Sequence, residues 1–282
     1  MSKHEMYYEN HKRQIVRFDG DGFRIEEYDL RDFNWEPVSA GKPSGVGGSV
    51  TRFIRGVQTK TVRIVARGKS EAECVALLNG LHAVTETDIY ALTPGRFYLD
   101  GQYMICYLGV SSGLDRWEAA YHYAKKTLSV TATHPFWLTE VTKRFFAGSA
   151  EVSAFGKTYN GRHPYQYSTG YANSSLLNEH YVATPAIITM YGPCVDPAVY
   201  IGSVMYGVEA SIADGERVVI DQMQRRIYKV ASNGSTVNLF DARYKEYDQF
   251  APVAAGVSTV AFSGDFAFDV TLLMQRSEPL WI

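Results

Sequence analysis

Phe97-Tyr-Leu-Asp-Gly-Gln-Tyr-Met-Ile-Cys-Tyr-Leu-Gly109 is two apolar runs about an Asp-Gly pair. A type I′ turn needs positive φ at both central residues, and Asp100-Gly101 tolerates that, so the stretch predicts an antiparallel hairpin. In its second strand Tyr103, Ile105 and Tyr107 share one face, while Met104, Cys106 and Leu108 share the other. Both faces are apolar. A strand of this kind lies at a domain centre or sets one face against a subunit.

Upstream, Ser70 followed by Glu73 reads as a capping box, and Cys74, Val75, Leu78, Leu81 and His82 recur at helical spacing. They predict one helix, about residues 71 to 83, preceded by the strand Thr61–Ala66. Tyr90-Ala-Leu-Thr-Pro-Gly-Arg96 reads as a Pro-Gly turn. Further upstream, Ser39-Ala-Gly-Lys-Pro-Ser-Gly-Val-Gly-Gly48 holds four glycines after its Ala40 and one proline, a composition that predicts a loop and suits a flexible arm ordered against a neighbour. It lacks the spacing of a phosphate-binding loop.

Downstream, Lys126–Thr133 alternates, with Leu128, Val130 and Ala132 expected inward, and ends at His134-Pro-Phe-Trp137. Beyond it, residues 147 to 183 are rich in Gly, Ser, Asn and Tyr and read as long loops and short strands. From Pro185 on, short apolar runs recur roughly every ten residues, punctuated by Asp-Gly, Asn-Gly and Gly-Asp pairs, which predicts an antiparallel sandwich. The chain is thus expected to be mainly β, with an N-terminal domain over 1–139 and a C-terminal β-sandwich over 140–282.

Composition narrows the function. The 282 residues carry 28 Lys+Arg against 30 Asp+Glu, a balance with no case for nucleic-acid binding. Residues 1 to 69 hold 13 basic and 9 acidic residues, the remainder 15 and 21, so the front is about +4 and the rest about −6. Cys74, Cys106 and Cys194 are far apart and predict reduced, buried thiols. The opening residues have no apolar run after their charges, which predicts no secretory signal, and no window is apolar enough to insert in a membrane.

Catalytic and metal-binding patterns are missing. His4, His11, His82, His122, His134, His163 and His180 stand singly, and no HExxH, GxSxG or two-cysteine clip occurs. Asp265 and Asp269 bracket Phe266-Ala-Phe268, a spacing that solvated turn carboxylates share with calcium ligands. Tyr165, Tyr167 and Tyr171 are the candidates for glycan or partner contact. The expectation is no catalytic residue, no cofactor and no metal.

Two blocks carry a resemblance. The first is Leu77-Leu-Asn-Gly-Leu81, Glu86-Thr-Asp-Ile-Tyr90, Thr93-Pro-Gly-Arg96, Tyr103–Tyr107 and His134–Trp137. The second is Pro185–Pro193, Val199-Tyr-Ile201, Val218-Val-Ile-Asp221, Ile227-Tyr-Lys-Val230, Asn238-Leu-Phe240, Ser263-Gly-Asp265 and Arg276–Trp281. Together they resemble the distal tail proteins of long-tailed siphophages, over about residues 50 to 281. That resemblance implies a virion protein assembled in the host cytoplasm. It implies a ring-forming, β-sandwich-like front domain with one helix, and a galectin-like or carbohydrate-module-like rear sandwich projecting outward. It also implies a hexameric ring of the chain with itself. The partners implied are the major tail tube protein, the tail-associated hub or lysin protein, the tape measure protein and docked receptor-binding proteins, with no catalysis.

The candidate subunit-interface residues are Tyr103, Ile105 and Tyr107 of the two-faced strand, with Ser39, Gly41, Pro43, Gly45 and Gly47 of the glycine-rich arm. Larger relatives carry inserted carbohydrate-binding modules, for which 282 residues leave no room, so the resemblance implies an adaptor. Two other classes stay open: a glycan-binding module, expected to show an exposed aromatic platform, and an enzyme, expected to show a cleft with perturbed titrating groups.

Overall fold

The computed structural model describes residues 4–42, 46–118, 122–148 and 172–281, without the side chains of 110–118, 172 and 173. The chain forms two compact units. The first is Met1–Thr139 with Gln275–Ile282, and the second is Glu140–Met274.

The first unit begins with strands β1 (Met6–Glu9), β2 (Ile15–Arg17), β3 (Phe23–Tyr28), β4 (Glu36–Gly41), β5 (Gly48–Ile54) and β6 (Gln58–Arg67). Helix α1 (Glu71–Ala91) follows, then β7 (Gly95–Leu99), β8 (Gln102–Glu118) and β9 (Tyr123–Phe145), whose last residues belong to the second unit. The antiparallel order in this unit is β3-β6-β9-β8-β7-β1-β2. Six strand spacings would span about 29 Å in a flat sheet. Yet the outermost strands, β2 and β3, are joined by residues 18–22, which reach only about 20 Å even when extended. The sheet therefore curls over, and the bridge from Asp19 to Arg24 and the Phe18–Phe23 ring contact at 6.1 Å tie its two edges together.

The helix packs on the concave side. Cys74, Leu78, Leu81, Thr85 and Asp88 are its buried residues, at alternating spacings of four and three. They meet Phe97, Met104, Cys106, Leu108, Leu128, Val130 and Ala132 in one core. Each buried Phe, Met, Leu or Val among them contributes about 1.5–3 kcal/mol over leaving it exposed. Ser70 Oγ accepts from the Glu73 amide at 3.2 Å, while the Glu73 carboxylate reaches back to the Lys69 amide at 2.6 Å, so the cap sits one residue wider than a capping box.

Three local expectations need correction. The helix does not stop at 83 but continues to Ala91; the apolar periodicity fades earlier because its buried face turns polar at Thr85 and Asp88. Tyr90–Arg96 is not a Pro-Gly turn. Leu92 ends the helix in the left-handed region, and Gly95 is a buried strand residue. Its need is space: a Cβ there would lie 2.5 Å from Asp88 Oδ2, Glu9 O and Tyr8 OH. The strand from Lys126 also runs on past His134 to Phe145, accommodating His134 by a bulge opposite Ile105.

The second unit is a sandwich. Its remaining strands are β10 (Ala172–Asn178), β11 (Ala186–Tyr191), β12 (Cys194–Val195), β13 (Ala198–Ile201), β14 (Val204–Gly207), β15 (Ser211–Ile212), β16 (Arg217–Asp221), β17 (Arg226–Val230), β18 (Thr236–Asn238), β19 (Gly256–Phe262) and β20 (Phe268–Arg276). One layer has the order β18-β17-β16-β11-β20, and the other β10-β19-β13-β14. Ile188, Met190, Ile220, Phe268 and Val270 of the first meet Leu176, Val199, Val260 and Phe262 of the second in a single core. Phe145 stacks on Phe268 with centroids 4.5 Å apart.

The last residues belong elsewhere than expected. Residues 275–282, placed with the rear domain on sequence, pack on the first unit. Leu280 exchanges backbone hydrogen bonds with the buried amide of Gln102, and Trp35 Nε1 donates to Ser277 Oγ at 3.1 Å. All three cysteines are free and buried.

Candidate assembly surface

The glycine-rich tract is less of a loop than its composition suggests. Ser39–Gly41 and Gly48 lie in β4 and β5, which pair only with each other, from Glu36↔Ile54 to Gly41↔Gly48. Ser39 and Gly41 are exposed, as is Gly47 at φ +75°, while Pro43 and Gly45 lie outside the described residues. Glycine fits the tight outer end because Gly48 brings its backbone against Ala40 O, where a Cβ would sit at 2.8 Å. Every residue of β5 is exposed, including Val50, Phe53 and Ile54. A two-stranded ribbon is only marginally stable by itself.

The two-faced strand is divided differently. Met104, Cys106 and Leu108 enter the core. Tyr103 is only 5% exposed, because a row across neighbouring strands covers it. Arg17, Tyr7, Tyr98 and Tyr103 are successive cross-strand partners on β2, β1, β7 and β8. Tyr7 and Tyr98 stack at 4.4 Å, Tyr98 and Tyr103 lie 5.4 Å apart, and the Arg96 guanidinium sits 4.4 Å from the Tyr103 ring. Burial, then Tyr98, pushes the Tyr7 hydroxyl above its ordinary pKa. The row is thus capped within the chain at Tyr103, while Ile105 and Tyr107 remain half-exposed.

The arm's base holds residues that sequence reading passed over. Phe33, Trp35, Phe53, Ile54 and Val57 are all exposed, Phe53 by 58% and Val57 by 65%. The signal was available as large apolar residues flanking the glycine tract without strand alternation. Arg55 lies among them, its guanidinium carbon 5.7 Å from the Trp35 ring centre and 5.0 Å from that of Phe136. Between the helix and the β2–β3 edge, a groove of about 500 Å³ is lined by Ile15, Phe23, Leu77, Gly80 and Val84.

Elsewhere the candidates do not converge. Tyr165, Tyr167 and Tyr171 lie outside the described residues. Asp269 is engaged by Arg144, 3.2 Å away, and by the Tyr191 hydroxyl at 2.9 Å, whereas Asp265 bonds Ser263. Among the described residues no group of three or more His, Cys, Asp or Glu is placed to hold a metal ion. No helix among them is long and apolar enough to cross a membrane.

No family model matches the sequence, and no curated protein matches it. Solved structures do match in fold. The crystal structure of Dit (gp 19.1) of phage SPP1, described as a paradigm of the hub adsorption apparatus in phages infecting Gram-positive bacteria, matches with a TM-score of 0.60 at 12% identity. That match covers 97% of this chain and 99% of the other. The phage P2 baseplate in its activated conformation matches with a TM-score of 0.64 both with Ca, at 9% identity, and with Sr, at 10%. Each covers 98% of this chain and 99% of the other. The chain therefore has the fold of phage baseplate and Dit proteins, from end to end and at low sequence identity.

Proposed function

We propose that this chain is a structural component at the distal end of a long-tailed phage tail. In this reading it forms a hexameric ring that joins the tail tube to the tip hub and the host-recognition apparatus. The observation that carries it is the fold match over 97% of this chain and 99% of SPP1 Dit, which leaves neither unit unaccounted for. Fold alone does not fix function. The exposed β4–β5 ribbon adds an independent reason, since an uncovered ribbon with apolar residues at its base suits contact with a neighbour.

The first unit is assigned the ring-forming role and the second the galectin-like sandwich. Ser39, Gly41 and Gly47 on the arm, with Ile105 and Tyr107 on β8, are the proposed ring contacts. The tube, hub, tape measure and receptor-binding proteins are the proposed partners, and the virion is the proposed location. Ring closure by one surface meeting a different surface of the next copy needs such unlike patches on one chain.

Light scattering on the purified chain, with negative-stain imaging of the same peak, tests this. Six chains of 31.6 kDa, about 190 kDa with a central hole, are expected. A peak that stays monomeric even after mixing with tube and hub proteins would sink the ring. Retention on a host-wall glycan column would then favour a glycan-binding module.

A further inference from the structure

Among the described residues, Arg55 is a cation without a counter-ion. Its Nη2 donates to Gln58 Oε1 at 3.3 Å and to Ser277 O at 3.4 Å, both neutral acceptors. Its Nε and Nη1 are shielded from solvent and have no hydrogen-bond partner, and neither has Nε2 of His134. No carboxylate among the described residues forms an ion pair with Arg55. A buried donor left unmet costs its full desolvation, and the cost is greater when the group is charged. Folded proteins seldom leave such a group idle, so two unmet guanidinium donors beside an unmet imidazole nitrogen point to an absent acceptor.

The surroundings say what kind. The guanidinium is flanked by the Trp35 and Phe136 rings, and His134 lies against Phe136 with centroids 5.1 Å apart. Trp35 Nε1 donates to Ser277 Oγ, and the residue is 39% exposed. Exposed Phe53, Ile54 and Val57 flank Arg55 in sequence. Arginine set among aromatic and aliphatic anchors is the composition of an interface hot spot rather than of a solvated face.

We propose that Arg55, with His134 and under Trp35, is a docking site for an acidic side chain of a second copy of this chain. The second copy is favoured because one chain carries both signs: about +4 over residues 1 to 69 and about −6 over the rest. The site also lies at the root of the β4–β5 arm, in continuity with the proposed ring contact. This inference rests on the ring reading. Carboxylate suits the donors because it accepts only and pairs strongly with guanidinium.

The test uses the full chain in two variants. R55K puts an amine at position 55 that carbodiimide couples directly to any carboxylate it pairs with. Mixing isotopically light and heavy copies and mapping the cross-linked peptides shows whether the bond joins two copies. R55Q removes the charge, and is expected to raise the concentration needed for assembly by at least about tenfold. Light scattering on wild type runs in parallel. An intermolecular cross-link from position 55 to an acidic residue supports the site. An assembled ring with no such cross-link, or an R55Q chain that assembles as well as wild type, overturns the site and leaves the ring reading standing. A chain that stays monomeric even with tube and hub proteins, yet whose position 55 cross-links between copies in transient encounters, does the reverse. A chain that stays monomeric under those conditions and shows no cross-link overturns both. Should R55Q fail to fold, the R55K cross-link decides alone.

Discussion

The Trp281 ring centre lies 4.0 Å from the guanidinium carbon of Arg31, so the end of the chain is fastened to its first unit. The contact stands beside the Gln102–Leu280 amide pair and the Trp35–Ser277 bond. The ring is largely exposed, which places this cation–π contact at the weaker end, about 0.5–1 kcal/mol. Trp281→Ala should lower the unfolding free energy of the first unit by about that amount and leave the second unit untouched. Denaturant titration followed by two probes, one in each unit, checks this, and an unchanged midpoint would refute the fastening.

Asp88 should matter more. It is fully buried, bonded to the Tyr8 hydroxyl, and accepts from the His11 amide at 2.9 Å and from His11 Nδ1 at 2.5 Å. Asp88→Ala strands these donors in the core and should cost about 3–5 kcal/mol. Gly95→Ala acts on the same node from outside, driving a methyl group against Asp88, Glu9 and Tyr8, and should cost about 1–3 kcal/mol. Urea midpoints of the two single variants give the comparison; a Gly95→Ala chain as stable as wild type would show that the node yields.

The thiols should be silent in the folded chain. Burial pushes Cys106 well above its ordinary pKa, and burial with the nearby Asp265 charge pushes Cys194 up to about 11. The raised values keep both protonated at neutral pH, and the thiol is the unreactive form. A thiol reagent at about pH 8 should label none of the three cysteines in native protein and all three in denaturant. Rapid native labelling at Cys106 would contradict its burial.

Acid should weaken the arm's base. Burial, then the Arg55 charge, holds the His134 pKa below its usual 6.5. On lowering the pH the unfolded chain therefore takes up the proton first. Stability from the neutral imidazole is complete above about 6.5 and declines as pH falls toward the lower folded value. Unfolding midpoints at about pH 7.5 and 5.5 should differ less in Arg55→Gln, where an NMR titration should also find the His134 pKa raised. An identical titration curve in the two proteins would remove Arg55 as a cause.

The arm itself should be dispensable for folding. Replacing Val38–Arg52 with Gly-Gly removes a ribbon that pairs only with itself. Thermal unfolding should shift by only a few degrees, as for a change of about 1 kcal/mol, while assembly is lost. An arm-less chain that still forms the ring would move the contact to β8.

Local chemistry was legible wherever a residue acts through its nearest neighbours. Ser70 caps its helix, Asp100-Gly101 turns with φ of +49° and +77°, and Leu128, Val130 and Ala132 point inward, because capping, turn geometry and strand alternation are set within a few residues. The mainly β class and the presence of a helix followed from those signals. Other features waited for the tertiary structure. Helix α1 outlasts its apolar pattern, its Asp88 being buried against Tyr8 and His11, 80 and 77 residues away, and Gly95 is required by atoms from Tyr8, Glu9 and Asp88. Tyr103 is hidden by a row of side chains drawn from separate strands, and Arg55 is left unpaired by a fold that surrounds it with rings and neutral acceptors. Which groups meet across a curled sheet depends on long-range pairing, and no window of sequence contains both partners of such a contact.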